Sequence, residues 1–410
     1  VAESTGSELR RTNLSAVLTL VHSRGAVTRA ELTRETGLNR STVGALVGEL
    51  VGLRLVRESE AAARQVGRPS LLIEPERRTV ALAVHPAPDA VTIGLVGLGG
   101  HVIKRIRYGT VQVPRAEEVV NIVSAVVAGM RSELDDSYTT VGVGLAVSGL
   151  LRSGDGVVDA APHLGWLAEP LAERLEQVLG LPVFAASDAA AGALAESAFG
   201  AARGVRNLVF LTGGAGGVSA AVIGGGTLLT GADGYAGALG HILVNSVGGL
   251  CRCGAHGCLD TEVSPEALVE VLGLAAGAAD VEAATSALGA VGVAGADLGA
   301  TLRARRDDPA VLAAVHRQLD HLAVAVRTAV NLFDPELLVL GGYLGALHEF
   351  ASERLPAALA RSAMRGPGAG VRIARGSLGD DLLVVGAAQL ALSRVLRDPA
   401  RLVRRRAPAM

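Results

Sequence analysis

The 410-residue chain is short of several things: it has three cysteines, one tryptophan, a single lysine at Lys104, and aromatic side chains at only 2% of positions. An odd number of cysteines cannot pair off within the chain, which excludes a fold stapled by disulfides. No stretch approaches ~20 apolar residues free of charges and turn signals, and the first residues lack a basic-then-apolar leader pattern. A cytoplasmic protein without membrane attachment is therefore expected. Net charge is also small, at -2. What is abundant is apolar surface, at 50% of residues, and glycine, at 53 positions. The glycines alternate with Val and Leu runs, as in α/β proteins, and not with polar low-complexity sequence.

The small net charge hides an uneven distribution. Residues 10 to 57 carry eight arginines against three glutamates, a local surplus of five, which favours contact with phosphates. Leu14, Val17, Leu18 and Val21 recur at i, i+3, i+4 and i+7 and predict a helix that Gly25 stops. Thr28 and Glu31 form a capping box for a second, short helix ending at Gly37. Asn39 can cap a third, in which Val43, Leu46, Val47 and Leu50 face inward. Arg40, Ser41, Thr42 and Ala45 are left on the opposite face near its N-terminus, where a recognition helix presents side chains to bases and phosphates. Leu55-Val56 and Leu71-Leu72-Ile73 suit two strands of a wing, and Arg64 and Arg68 between them could reach phosphate or a minor groove. Together these predict a winged helix-turn-helix bound to double-stranded DNA. The competing reading is a three-helix protein-interaction module with a solvated basic face.

From Thr79 the pattern changes. Apolar strands are predicted at Val80–Val84, Val91–Val96, Val141–Val147, Val183–Ala186, Leu208–Thr212 and Leu337–Leu340, with helical stretches between several of them, and a Pro-Ala-Pro-Asp turn between the first two. The expected organisation is a DNA-binding unit over residues 1–78 and a first lobe over 79–200 that the last helix, about 386–396, rejoins. A second lobe follows over 201–385. The helix from Pro309 to Phe333 carries an apolar face of Leu312, Val315, Leu319, Leu322 and Val326 for the core or a dimer contact. Arg401 to Arg406 reads as a solvated tail.

All three cysteines fall within Cys251-Arg252-Cys253-Gly254-Ala255-His256-Gly257-Cys258, closely preceded by His241. Three thiolates and one imidazole complete a tetrahedral set, and a closed set stabilises a fold without activating water, so a structural zinc is expected. His241 and His256 compete as the fourth ligand. Buried or redox-active cysteines are the alternative.

The run from Gly237-Ala238-Leu239-Gly240-His241 through the cysteine cluster to Asp260 resembles the zinc signature of the ROK family of sugar kinases and sugar-responsive repressors. Ala161-Pro162-His163-Leu164-Gly165-Trp166, Ser187-Asp188, Thr212 to Gly217, and Asp334-Pro335-Glu336 leading to Leu340-Gly341-Gly342 add to the resemblance, which spans nearly the whole chain. It implies an α/β, two-lobed actin/hexokinase-like body. It also implies that His241 both binds zinc with Cys251, Cys253 and Cys258 and neighbours a sugar, with His163, Ser187, Asp188 and Asp260 around the same ligand. Asp188 takes the family's catalytic-base position, although it can equally cap the helix that follows.

Several departures speak against catalysis. The family kinases' first phosphate loop, of the Asp-x-Gly-Gly-Thr type, is replaced by His85-Pro86-Ala87-Pro88-Asp89, in which the prolines have no N–H to offer a phosphate. Ser187 stands for Asn, Ala238 for Glu, Asp260 for Glu and His163 for Asn. The second glycine run, Thr212 to Gly217, can bind phosphate or simply turn the chain. A sugar-responsive repressor that has lost kinase activity is expected, acting as a homodimer or dimer of dimers on a pseudo-palindromic operator. The alternatives are a ROK-type ATP-dependent sugar kinase with an accessory DNA-binding domain, and a DNA-binding regulator indifferent to small ligands, whose cleft serves only assembly.

Overall fold

The computed structural model describes residues 2–60, 71–214, 216–273, 298–364, 366 and 370–400. Arg64, Arg68, Ala215 and the Arg401–Arg406 tail lie outside the described residues.

The chain opens with α1 (Ala2–Arg24), β1 (Val27–Thr28), α2 (Arg29–Thr36), α3 (Arg40–Gly52), β2 (Val56–Glu60) and β3 (Leu71–Pro75). Helix α1 starts well before the apolar stripe that predicts it, and ends at Gly25, whose φ of 77° no branched side chain adopts readily. The Thr28–Glu31 capping box forms, Gly37 closes α2 in the left-handed conformation, and the Asn39 side chain accepts from the Thr42 N–H at 2.8 Å. Strands β2 and β3 pair antiparallel, and β1, which the sequence does not announce, adds a third strand beside β3. Leu14, Val17, Leu18 and Val21 of α1 meet Val43, Leu46, Val47 and Leu50 of α3 in a core from which water is excluded.

Next come β4 (Thr79–Ala87), β5 (Ala90–Gly97), β6 (Val102–Gly109), α4 (Ala116–Gly129), α5 (Arg131–Ser137), β7 (Thr139–Val147), β8 (Leu150–Leu151), β9 (Val158–Ala161), β10 (Trp166–Glu169), α6 (Leu171–Leu179), β11 (Val183–Ser187) and α7 (Asp188–Phe199). The remainder is β12 (Leu208–Gly214), β13 (Gly217–Gly224), β14 (Thr227–Leu228), α8 (Leu259–Glu262), α9 (Glu266–Val271), α10 (Leu298–Ala304), α11 (Pro309–Phe333), β15 (Leu337–Gly341), α12 (Gly342–Phe350), α13 (Arg354–Ser362), β16 (Arg372–Arg375) and α14 (Leu382–Arg397). Helix α14 begins before the Gly386 expected from the sequence, because Leu382, Val384 and Val385 are themselves buried.

Two five-stranded sheets, ordered β11-β7-β4-β5-β6 and β14-β13-β12-β15-β16, form the body, and β10-β9-β8 make a separate three-stranded sheet. In each five-stranded sheet, an antiparallel meander continues into two parallel strands, so the two share one topology. The Pro-Ala-Pro-Asp turn is shorter than expected: Pro86 and Ala87 stay in β4, paired with Val91 and Ala90, and only Pro88 and Asp89 turn the chain. Asp89 is held there by an ion pair with Arg107 on β6.

Helix α7 lies between the sheets. Its Ala189, Ala190 and Ala193 share a core with Phe210 and Val339 of the second sheet and with Leu382 and Val385 of α14, while Ala191 joins the core of the first. Helix α11 buries Val315, Leu319, Leu322 and Val326 against β12 and β15, leaving Leu312 half-buried. Its apolar face therefore serves this core, not a dimer contact. Among the described residues no helix is long and apolar enough to cross a membrane.

Candidate ligand cleft and metal centre

Side chains from both sheets converge on Asp188, at the start of α7 where β11 ends. Its carboxylate is buried and hydrogen-bonded on both oxygens: Oδ2 accepts from Ser148 Oγ at 2.6 Å, and Oδ1 accepts from Ser219 Oγ at 2.8 Å and from the Ala189 N–H at 2.7 Å. Ser148 follows β7 of the first sheet and Ser219 lies on β13 of the second, so one carboxylate links the two. Neither serine was among the residues expected from the sequence; an isolated serine after a strand carries no motif. Ser187, expected at this site, spends its hydroxyl on capping α7, accepting from the Ala190 N–H at 3.2 Å.

Beside Asp188 opens a cavity of about 320 Å³, walled by Ser148, Ser219, His163, Ser187, His241 and Asp260 among others. The expected ligand residues are therefore brought together, with Asp188 just behind the wall and reached through its two serines. His163 Nε2 and Asp260 Oδ2 are 3.3 Å apart, and Asp260 Oδ1 accepts from the Val218 N–H at 2.6 Å. Burial raises the Asp260 carboxyl, but the His163 hydrogen bond and the Val218 N–H outweigh it and hold the group below its ordinary range. The glycine turn between β12 and β13 presses on this pair: Gly217 has φ 87°, and a Cβ there would meet Asp260 Oδ1 at 2.5 Å and His163 Nε2 at 2.6 Å. This run thus makes a hairpin turn that fits around polar side chains. At the equivalent hairpin of the first sheet, burial pushes the His85 imidazole below its ordinary value, and its Nδ1 donates to the Ala146 carbonyl at 3.0 Å.

The ligand atoms of His241, Cys251, Cys253 and Cys258 all lie within 4.8 Å of one another. Cys253 Sγ and Cys258 Sγ are 3.7 Å apart, as are Cys251 Sγ and His241 Nδ1. A tetrahedral ion with metal–sulfur bonds of about 2.3 Å sets its sulfurs about 3.8 Å apart, which the Cys253–Cys258 pair matches, so the donor set suits zinc. Burial and the neighbouring thiols push the Cys258 thiol up to about 12, a burden that a dication would relieve. His256 is exposed and stands outside this group. Gly257, with φ 67°, lets the knuckle close: a Cβ there would lie 1.7 Å from the Asn245 carbonyl oxygen. Cys258 immediately precedes α8, which carries Asp260, so the cysteine knuckle and the cleft share a backbone.

In the amino-terminal unit, Arg10, Arg24, Arg29 and Arg57 are tied to Glu49, Glu35, Glu58 and Glu74. Arg40 is exposed at the first turn of α3 and has no ion-pair partner among the described residues. Ser41 is exposed but donates its hydroxyl to Asn39 Oδ1 at 2.7 Å, and Thr42 is half-buried.

The sequence pattern of the ROK family matches residues 84–394. The chain belongs to the ROK family. The xylose repressor of Caldicellulosiruptor bescii is 25% identical over 397 residues, 95% of this chain and 98% of the repressor. The glucokinase of Streptomyces coelicolor is 30% identical over 308 residues, but these are 73% of this chain against 94% of the kinase. A crystal structure of a ROK family transcriptional regulator, a homologue of the E. coli MLC protein, shares the fold with a TM-score of 0.74 at 23% identity, covering 96% of this chain and 98% of that one.

Proposed function

We propose that this ROK protein is a DNA-binding transcription regulator, a repressor, whose hold on its operator responds to a sugar or sugar derivative bound beside Asp188. The observation that carries this reading is one of coverage. The xylose repressor aligns from end to end, whereas the glucokinase leaves about a quarter of this chain unmatched. The amino-terminal 78 residues are read as a winged helix-turn-helix, with α2 and α3 as its helix pair and β2 and β3 as the wing. Residues 79–200 with α14, and 201–385, are read as the two lobes of a hexokinase-like body. Zinc held by His241, Cys251, Cys253 and Cys258 supplies no chemistry beyond fixing the knuckle and, through α8, Asp260. The protein is placed in the cytoplasm with its DNA.

Kinase activity is read as lost for two reasons. The first hairpin offers Pro86 and Pro88 where a phosphate would need N–H donors, and Asp89 at its tip is neutralised by Arg107. A general base must also hold the attacking hydroxyl, and at Asp188 an incoming hydroxyl has to compete with three donors already in place. The purified protein should therefore leave ATP unconsumed with D-glucose, D-xylose or N-acetylated hexoses; turnover at an ordinary enzymatic rate would restore the kinase alternative.

The deciding experiment measures affinity for duplex DNA from the region upstream of its own coding sequence, with and without the same sugars. A change in affinity with one of them is expected, and equal occupancy throughout would leave a ligand-independent regulator. One reading head per chain implies a dimer on two half-sites. Arg40→Ala should weaken binding to all duplexes alike and lower the slope of log affinity against log salt by about one, the signature of one lost phosphate contact.

A further inference from the structure

Helix α7 joins two places that the preceding description treats separately. Its first residue is Asp188, whose carboxylate takes one serine hydroxyl from each sheet. Its last is Phe199, whose ring meets the imidazole of His22 edge-on at 5.0 Å between centroids. His22 lies in the last turn of α1 and is buried. Its Nδ1 accepts from the Gly99 N–H at 3.0 Å, which leaves the proton on Nε2 to donate to Gln389 Oε1 of α14, also at 3.0 Å. Arg203, just beyond α7, donates to the Ser23 carbonyl at 3.1 Å. The end of α1 is thus fastened to the first sheet, to α14 and to the far end of α7.

There is little slack along this path. A Cβ on Gly386 would lie 2.3 Å from the Ala191 carbonyl oxygen, so α14 and α7 touch backbone to backbone. Near its C-terminus, the fully buried Glu196 accepts from the N–H groups of Ala201, Ser377 and Leu378. A helix of 12 residues spans about 18 Å at roughly 1.5 Å per residue, and one held this tightly along its length moves as a rod.

We propose that α7 is the strut through which the state of Asp188 sets the position of α1, with His22 and Phe199 as the joint that receives it. A hydroxylated ligand entering the cleft would compete with Ser148 and Ser219 for the Asp188 carboxylate and so load one end of the rod. His22 is a positioning residue and touches no ligand. The proposal takes its meaning from the repressor reading, but its test needs neither DNA nor sugar, so the two fail separately.

The test is a double-mutant cycle in the full-length protein, with Asp188→Asn at one end and Phe199→Ala at the other, and His22→Gln as a second receiver should Phe199→Ala not fold. Residues this far apart ordinarily contribute additively to unfolding. Here the unfolding constant of the double variant should depart from the product of the single effects by about twofold or more, the factor equivalent to a coupling of roughly 0.5 kcal/mol. Hydrogen exchange supplies the second reading: Asp188→Asn should speed exchange in peptides covering residues 18–25, whereas Leu319→Ala, in the core of the second sheet, should not. Additive unfolding, or exchange at 18–25 that ignores Asp188, would overturn the strut.

Discussion

Cys258→Ser is expected to empty the metal site and lower the thermal midpoint by about 8–16 °C. The figure follows from linkage. A metal whose free concentration stands about a thousandfold above its dissociation constant adds about 4 kcal/mol, and each kcal/mol is worth roughly 2–4 °C in a domain of this size. Cys258 is the sharpest position to test because it is buried, its sulfur lies 3.7 Å from that of Cys253, and α8 starts at the next residue. Metal analysis of the unaltered protein should return about one zinc per chain, and a chelator should reproduce the loss of stability. His256→Ala should leave both metal content and midpoint unchanged, since His256 stands apart from the four donors. A Cys258→Ser protein as stable as its parent would dismiss the structural metal.

The second large effect concerns acid. Burial pushes the His22 imidazole down from 6.5 to about 4, against a smaller opposing pull from Gln389. A buried neutral base of this kind contributes its full stability above the unfolded value of 6.5. The contribution drains away as pH falls toward 4, because the unfolded chain takes up a proton that the folded one refuses. At about 1.4 kcal/mol per unit the loss is about 3 kcal/mol. Denaturant titrations at pH 7.5 and 4.5 should show this fall in the parent and a shallower one in His22→Gln, which has no proton to refuse. Burial lowers His85, His101 and His348 too, and they remain in the variant, so the difference between the proteins isolates His22. Equal acid sensitivity in the two would show that His22 is not the group being protonated.

Both effects bear on function through position. The cysteine knuckle leads straight into α8, which carries Asp260 of the Asp260–His163 pair on one wall of the cleft. His22 fixes the end of α1 against the first sheet. The amino-terminal unit therefore does not hang from a loose linker: its apolar core continues into Ala81, Ala83, Val96 and Leu98 of the first sheet and into Ala391, Leu392 and Val395 of α14.

Features that depend on neighbours along the chain were legible in the sequence. The Thr28–Glu31 capping box, the Gly37 stop, the Asn39 cap and the inward stripe of α3 each involve residues within a helical turn or two, and each formed as its spacing required. The cysteine cluster was legible for the same reason, since three of its four donors lie within eight consecutive residues. Asp188 was visible only through family resemblance. Its serines were not visible at all, because Ser148 and Ser219 lie 40 and 31 residues away in sequence: Ser148 reaches it through the parallel pairing of β7 with β11, and Ser219 only when the second sheet meets the first. The shared topology of the two sheets and the pairing of His22 with Gln389, 367 positions apart, belong to the same class. Local steric preference and hydrogen-bonding reach act over a few residues and write themselves into spacing. Contacts between elements are chosen by how whole surfaces bury one another, and only the folded chain decides which surfaces those are.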